Sequence, residues 1–227
     1  ISSVDEGREF IKGLQCLQTP LIAQPFRTLP NLVVHGARSL EGESYGLQGF
    51  LVKRKFEGLT LTLGPMDLAE DFKGRCIEFT REMGIVGSYH FEFLHDPSSS
   101  KNYFLEVNAR LGGTTAKALA LGYDEPALAL KSYGVHIKNG KKIRNVTASS
   151  RLALAKYLQY SLTNRITPLD YPNETKWRRI AHTLWGMTCY RDDVISIRDV
   201  KGTWAFFRQV LHDKRGLSRE ADTGLGQ

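Results

Sequence analysis

The run GSYHFEFLHDPSSSKNYFLEVNARLGGTT, residues 87–115, constrains the fold more than any other part of the chain. Residues 88–94 and 103–108 are two apolar stretches with the alternation of strands. The polar, turn-forming HDPSSSKN between them predicts an antiparallel hairpin. Yet each strand carries groups that a core strand avoids. His90 and Glu92 stand on the first; Glu106, Asn108 and, past the strand core, Arg110 stand on the second. A buried carboxylate is costly unless it is paired, hydrogen-bonded or bound to a metal.

Alternation puts Glu106, Asn108 and Arg110 on one face together with Phe104, and turns Tyr103, Leu105 and Val107 to the other. It likewise puts His90 with Glu92, opposite Phe91 and Phe93. If the two polar faces coincide, two carboxylates and an amide oxygen converge, with a cation at the rim. Such hard oxygen donors suit Mg²⁺, which takes one or two protein carboxylates along with phosphate oxygens. Arg110 is able to grip a second anion through two parallel donors. Gly112 and Gly113 let backbone N–H groups come close to a ligand.

The rest of the chain reads as a mixed α+β protein. Ser3 and Glu6 form a capping-box pattern, and Val4, Phe10, Ile11, Leu14 and Leu17 supply a helical stripe after it. LIAQPF, residues 21–26, is a short apolar strand or hinge. NLVVHGARS and YGLQGFLVKRKFEGLTLTLG read as strands joined by the turn-rich LEGES. Asp67 is expected to cap a helix running to Met83, with Leu68, Phe72, Cys76, Phe79 and Met83 on one face and Gly84 as its stop. Two further helices are expected over residues 116–121 and 125–133, the second with Pro126 near its start. KNGKK reads as a tight turn. Beyond it come a helix over residues 148–162, a Pro-containing loop, RRIAHTLWGMTCY, and a last helix over residues 203–211 ahead of a polar tail.

Composition narrows the function classes. The 227 residues are 41% hydrophobic, enough for a real core. No apolar run approaches the roughly 20 residues that cross a bilayer, so no membrane partner is expected. The acidic, amphipathic start is not a signal peptide. Cys16, Cys76 and Cys189 are too few and too scattered for a zinc site or a disulfide framework, which favours a cytoplasmic location. The net charge of +7 is spread along the chain. It favours a small anion such as a nucleotide over nucleic acid.

FEF followed by YFLEVNARLGG resembles the C-terminal part of an ATP-grasp ligase domain, in the biotin carboxylase and carbamoyl-phosphate synthetase branch. The resemblance covers residues 1–138 and is sharpest over residues 91–113. It implies an α+β ATP-grasp portion with an antiparallel sheet and packed helices. Residues 1–23 would complete a smaller lobe and residues 24–139 form the second lobe, with residues 140–227 appended. It implies that Glu92, Glu106 and Asn108 hold Mg²⁺ (or Mn²⁺) on ATP, and that Arg110 steadies a carboxylate substrate or its acyl-phosphate. Nucleotide contacts are implied at Gln24, Pro25 and Phe26 of the hinge, at Lys53 and Lys55 near a strand end, and at Leu105.

ATP-grasp domains carry phosphate-binding lysines and a glycine-rich loop ahead of such a segment. The chain does not open on Met, and the N-terminal portion of the enzyme is the expected partner on a longer parent chain. The implied activity is ATP-dependent carboxylate–amine ligation, with small carboxylate and amine substrates. A biotin-dependent or carbamate-forming branch and a nucleotide-binding scaffold without turnover are the alternatives.

Overall fold

A computed structural model of the chain describes residues 3–14, 25–137, 142–195, 199–205 and 208. The first element is helix α1 (Val4–Leu14). The Ser3 hydroxyl accepts from the Glu6 backbone N–H at 3.1 Å, the cap expected of that pair. Of the predicted apolar stripe, Phe10 and Ile11 are both more than half exposed.

Among the described residues, seven strands form one sheet in the order β5-β4-β1-β2-β3-β6-β7. They are β1 (Asn31–Arg38), β2 (Ser44–Phe56), β3 (Leu59–Met66), β4 (Gly87–Asp96), β5 (Lys101–Asn108), β6 (Ala148–Ser149) and β7 (Arg191–Asp192). All pairings are antiparallel except β6 with β7. The β2–β3 hairpin turns on Glu57 and Gly58, both at positive φ, the backbone that matches the right-handed twist of a two-residue hairpin. Strands β6 and β7, both from residues beyond 140, extend this same sheet.

Side-chain alternation splits the sheet into two packed faces. Leu32 and Val34 of β1 join Tyr89, Phe91 and Phe93 of β4 against helix α2 (Glu70–Glu82), through Phe72, Cys76 and Phe79. Burying each such aromatic or aliphatic side chain contributes about 1.5–3 kcal/mol. On the other face, Val33, Phe50, Val52 and Leu63 pack against helix α3 (Thr115–Leu121) and Tyr123, with Leu128 of helix α4 (Glu125–Ser132) at the margin. A third cluster, around Phe56, Leu61, Leu154 and Tyr157, seats helices α5 (Arg151–Leu162) and α6 (Lys176–Cys189) at the far end of β2 and β3.

Several local expectations are corrected. Asp67 does not cap α2: the N-cap is Ala69, extended and without a side-chain hydrogen bond. Strand β3 continues to Met66, and Leu68 is drawn into the core, which postpones the first helical turn. Met83 is exposed because it sits past the last turn, where Gly84 at φ +63° ends the helix. The helix expected from Ala148 starts at Arg151. Ala148 and Ser149 pair instead with Leu63 and Thr62, and Ser150 becomes the cap, accepting from the Ala153 N–H. KNGKK lies mostly outside the described residues, as do Cys16, Leu17 and most of the hinge. Cys76 and Cys189 are free thiols, and burial pushes the first up to about 11. Among the described residues, no helix is long and apolar enough to cross a membrane.

Candidate functional site

The β4–β5 hairpin brings the predicted oxygen donors together. Glu92 and Glu106 are direct cross-strand partners, and His90 faces Asn108 two pairs along. Directly opposed residues of an antiparallel pair share a face. That face is the one shared by Val33, the partner of Glu92 on β1, and so lies opposite α2. The same register places Phe104 against Phe93, leaving Leu105 as an unpaired bulge residue. The bulge overturns the simple alternation read along YFLEVNAR. Phe104 does not share the face of Glu106; its ring lies 5.8 Å from Phe93 and 5.9 Å from Phe79, on the α2 side. Leu105 is turned to the carboxylate side, where it lines a cavity.

Each donor is held by a neighbour. Asn31 Nδ2 donates to Glu92 Oε2 at 3.3 Å, and His90 Nε2 stands 3.6 Å from Glu92 Oε1. The contact with His90 leads the effects that hold the Glu92 carboxyl below its usual value, against the opposing effect of partial burial. Asn108 Nδ2 donates to Glu106 Oε1 at 2.7 Å, so the Asn108 amide oxygen faces Arg110, whose Nη2 donates to it at 3.1 Å. Glu106 and Arg110 are exposed. The result is a row of oxygen acceptors with unused lone pairs, ending in a guanidinium. Among the described residues, no cluster of three or more His, Cys, Asp or Glu is arranged to hold a metal. The donor set here is two carboxylates and an amide, which fits an ion that completes its shell with phosphate and water oxygens.

A cavity of about 360 Å³ lies beside this row, lined by Pro25, Phe26, Asn31, Lys55, Leu94, Leu105 and the Pro168–Leu169 turn among others. Four of the six residues expected to touch nucleotide are thus on its wall. Gln24 lies outside the described residues. Lys53 points elsewhere, with its ammonium donating to Thr147 Oγ1 at 3.1 Å. The KRK run is divided by irregular pairing between β2 and β3 on either side of Arg54. Lys55 alone reaches the cavity: Nζ donates to the Leu29 carbonyl at 2.8 Å, and burial pushes the ammonium down against the opposing charge of Glu92. Arg54 turns instead to Tyr157 of the third core cluster, donating to its hydroxyl at 3.3 Å.

The Gly112–Gly113 expectation divides as well. A Cβ on Gly112 would stand 3.0 Å from His90 Nδ1, so its close approach is to the protein; Gly113 faces open space. Sequence reading missed Asn31, Leu94, Pro168 and Leu169. Asn31 falls on the face of Val33 and His35 by strand alternation, which is a usable signal. Pro168 and Leu169 arrive from more than a hundred residues downstream of β2, and nothing local marks them. A larger cavity, about 710 Å³, lies on the opposite sheet face between α2 and the hairpin, away from the carboxylates.

Residues 65–160 match the family described as carbamoyl-phosphate synthase L chain, ATP binding domain. No curated protein matches the chain. Among solved structures, biotin carboxylase from Campylobacter jejuni is 17% identical over 54% of this chain and 29% of its own, with a TM-score of 0.42. The phosphoribosylaminoimidazole carboxylase ATPase subunit from Aquifex aeolicus is 14% identical over 72% of this chain and 57% of its own, with a TM-score of 0.46. N5-carboxyaminoimidazole synthetase from Staphylococcus aureus, solved with ADP, is 13% identical over 65% and 40%, with a TM-score of 0.48. The chain therefore spans between 29% and 57% of the length of these three proteins. The hairpin and its oxygen donors fall wholly within the matched residues, so the chain's likeness to an ATP-grasp ATP-binding domain is carried by this segment.

Proposed function

We propose that the chain is the metal- and nucleotide-binding part of an ATP-dependent ligase of the carboxylate–amine type, acting with residues of a longer parent chain. The observation that carries this reading is the register Glu92↔Glu106, with Asn108 two residues on, beside a cavity walled by Phe26, Lys55 and Leu105. Glu92, Glu106 and the Asn108 oxygen would hold Mg²⁺, which when bound offsets negative charge on a transferring phosphoryl group. Phe26 and Leu105 offer apolar walls for a nucleobase, and Lys55 a cation for its phosphates. Arg110 stands at the open end of the donor row, where its fork suits a carboxylate or the acyl-phosphate made from it. In this reading ATP phosphorylates the carboxylate, and an amine then displaces phosphate from the acyl-phosphate. Residues 1–23 belong to the smaller lobe, residues 24–139 carry the site, and residues 140–227 are an appended region that adds the Pro168–Leu169 wall.

Glu106→Gln tests the reading, since it keeps shape and removes charge from an exposed position. Calorimetric affinity for Mg²⁺·ATP should fall about tenfold or more. Unfolding free energy should stay within about 0.5 kcal/mol, as for other surface substitutions. Equal affinity in the two proteins would remove Glu106 from the metal site and the reading with it.

A further inference from the structure

Beneath the donor row lies a buried polar chain that the proposed role does not use. His35 and Glu125 are fully buried and His90 is 2% exposed. Stability alone does not call for such a set, because apolar side chains of similar volume often serve a core as well or better than a buried ion pair. His35 Nδ1 stands 3.2 Å from Glu125 Oε2, in ion-pair contact although outside hydrogen-bond geometry. His35 Nε2 shares a hydrogen bond of 2.9 Å with Thr114 Oγ1. Thr115 donates its hydroxyl to Glu125 Oε2. Burial pushes the Glu125 carboxyl up, but its contacts with His35 and Thr115 outweigh this and hold it below the usual value.

His35 is also the cross-strand partner of His90, and the two rings stack with centroids 5.6 Å apart at 27°. His90 in turn abuts Glu92. The pair forms the floor of the loop behind Arg110: a Cβ at Gly112 would lie 3.1 Å from His90 Cε1 and 3.3 Å from His35 Cε1. One buried ring therefore touches two separate supports of the donor row.

We infer that His35, oriented by Glu125, is a positioning residue for the candidate site. Through His90 it sets the Glu92 carboxylate, and through Thr114 and Gly112 it sets the loop that follows Arg110. What is positioned rests on the nucleotide–metal reading above; the support itself does not. An outer-shell partner of this kind orients ligands without touching the metal, and its loss commonly weakens metal binding by about 10- to 100-fold.

His35→Phe keeps the ring volume and deletes both nitrogens. Glu125→Gln is the gentler variant and carries the test if the first does not fold. Two quantities are measured well below each melting temperature. Amide hydrogen exchange over residues 111–115, without ligand, should quicken while exchange in β2 and β3 stays unchanged. Affinity for Mn²⁺·ADP, read from the spin resonance of free Mn²⁺, should fall about tenfold or more. A folded variant with unaltered affinity overturns the inference, whether or not its loop loosens or its melting temperature drops. If the unsubstituted protein does not bind Mn²⁺·ADP, the nucleotide–metal reading fails separately, and loop exchange alone decides whether His35 supports this loop.

Discussion

Two clusters in this molecule combine a guanidinium with carboxylate and imidazole groups, and they are built to opposite ends. At the far end of β2, Arg54 Nη2 donates to Glu174 Oε2 at 2.9 Å and to His182 Nδ1 at 3.0 Å, while Nη1 donates to the Tyr157 hydroxyl at 3.3 Å. The Arg54 and Glu174 side chains are 9% and 12% exposed. Every strong group there has a protein partner, and the cluster ties α5, α6 and the loop between them to the sheet. At the hairpin, Arg110 and Glu106 are exposed, and among the described residues Glu106 accepts only from Asn108. Charge closed on itself holds a fold together. Charge arranged in a row with acceptors left over is fitted to bind something.

The contrast is broken or sharpened first at Arg54. Arg54→Met removes one partner of a nearly buried pair and leaves the Glu174 carboxylate facing His182 without its guanidinium. Denaturant unfolding should show a loss of about 3–5 kcal/mol. A loss no greater than that of an exposed pair, about 0–1 kcal/mol, would erase the distinction between the clusters.

Arg110→Lys should show the reverse pattern. Lysine keeps the charge but not the planar fork. In the longer ligase proposed above, ADP release coupled to acyl-group activation should slow by about ten- to a hundredfold, roughly 1.4–2.7 kcal/mol of transition-state stabilisation. Thermal stability should change little. Stability lost with turnover retained would make Arg110 a structural residue like Arg54.

The smallest expected effect is a pH dependence. Burial pushes the Glu174 carboxyl up, but the Arg54 hydrogen bond and charge, with His182, hold it below its usual value. A carboxyl depressed on folding contributes stability that is fully present above its unfolded value and is lost as pH falls through its folded value. Melting temperature should therefore decline on acidification below the usual carboxylate range, and Glu174→Gln should flatten that decline. An equally steep decline in the variant would show that other carboxylates carry the acid sensitivity.

Much of the hairpin could be read from the chain. Period-two alternation, a turn-forming spacer and the E-x-N-x-R spacing are local properties, so both strands and the grouping of Glu92 with His90 and of Glu106 with Asn108 follow from them. The bulge at Leu105 was not legible, and it moved Phe104 to the α2 face and Leu105 to the cavity. An extra residue in one strand is defined only against its partner. The KRK run gave the same difficulty at higher stakes. Three adjacent cations look alike in sequence, yet Lys53 meets Thr147, Arg54 meets Glu174, and Lys55 meets the cavity.

The chain alone decided which residues form the five longer strands, which groups sit at strand spacing, and which chemistry those groups suit, because each depends on neighbours within a few positions. Tertiary structure decided which carboxylates meet, which cation faces them, and what walls the cavity. Asn31 reaches Glu92 across 61 positions, His35 reaches Thr114 across 79, and Arg54 reaches Glu174 across 120. Contacts at such separations depend on strand register and helix packing over the whole sheet, so no local stretch of sequence contains them.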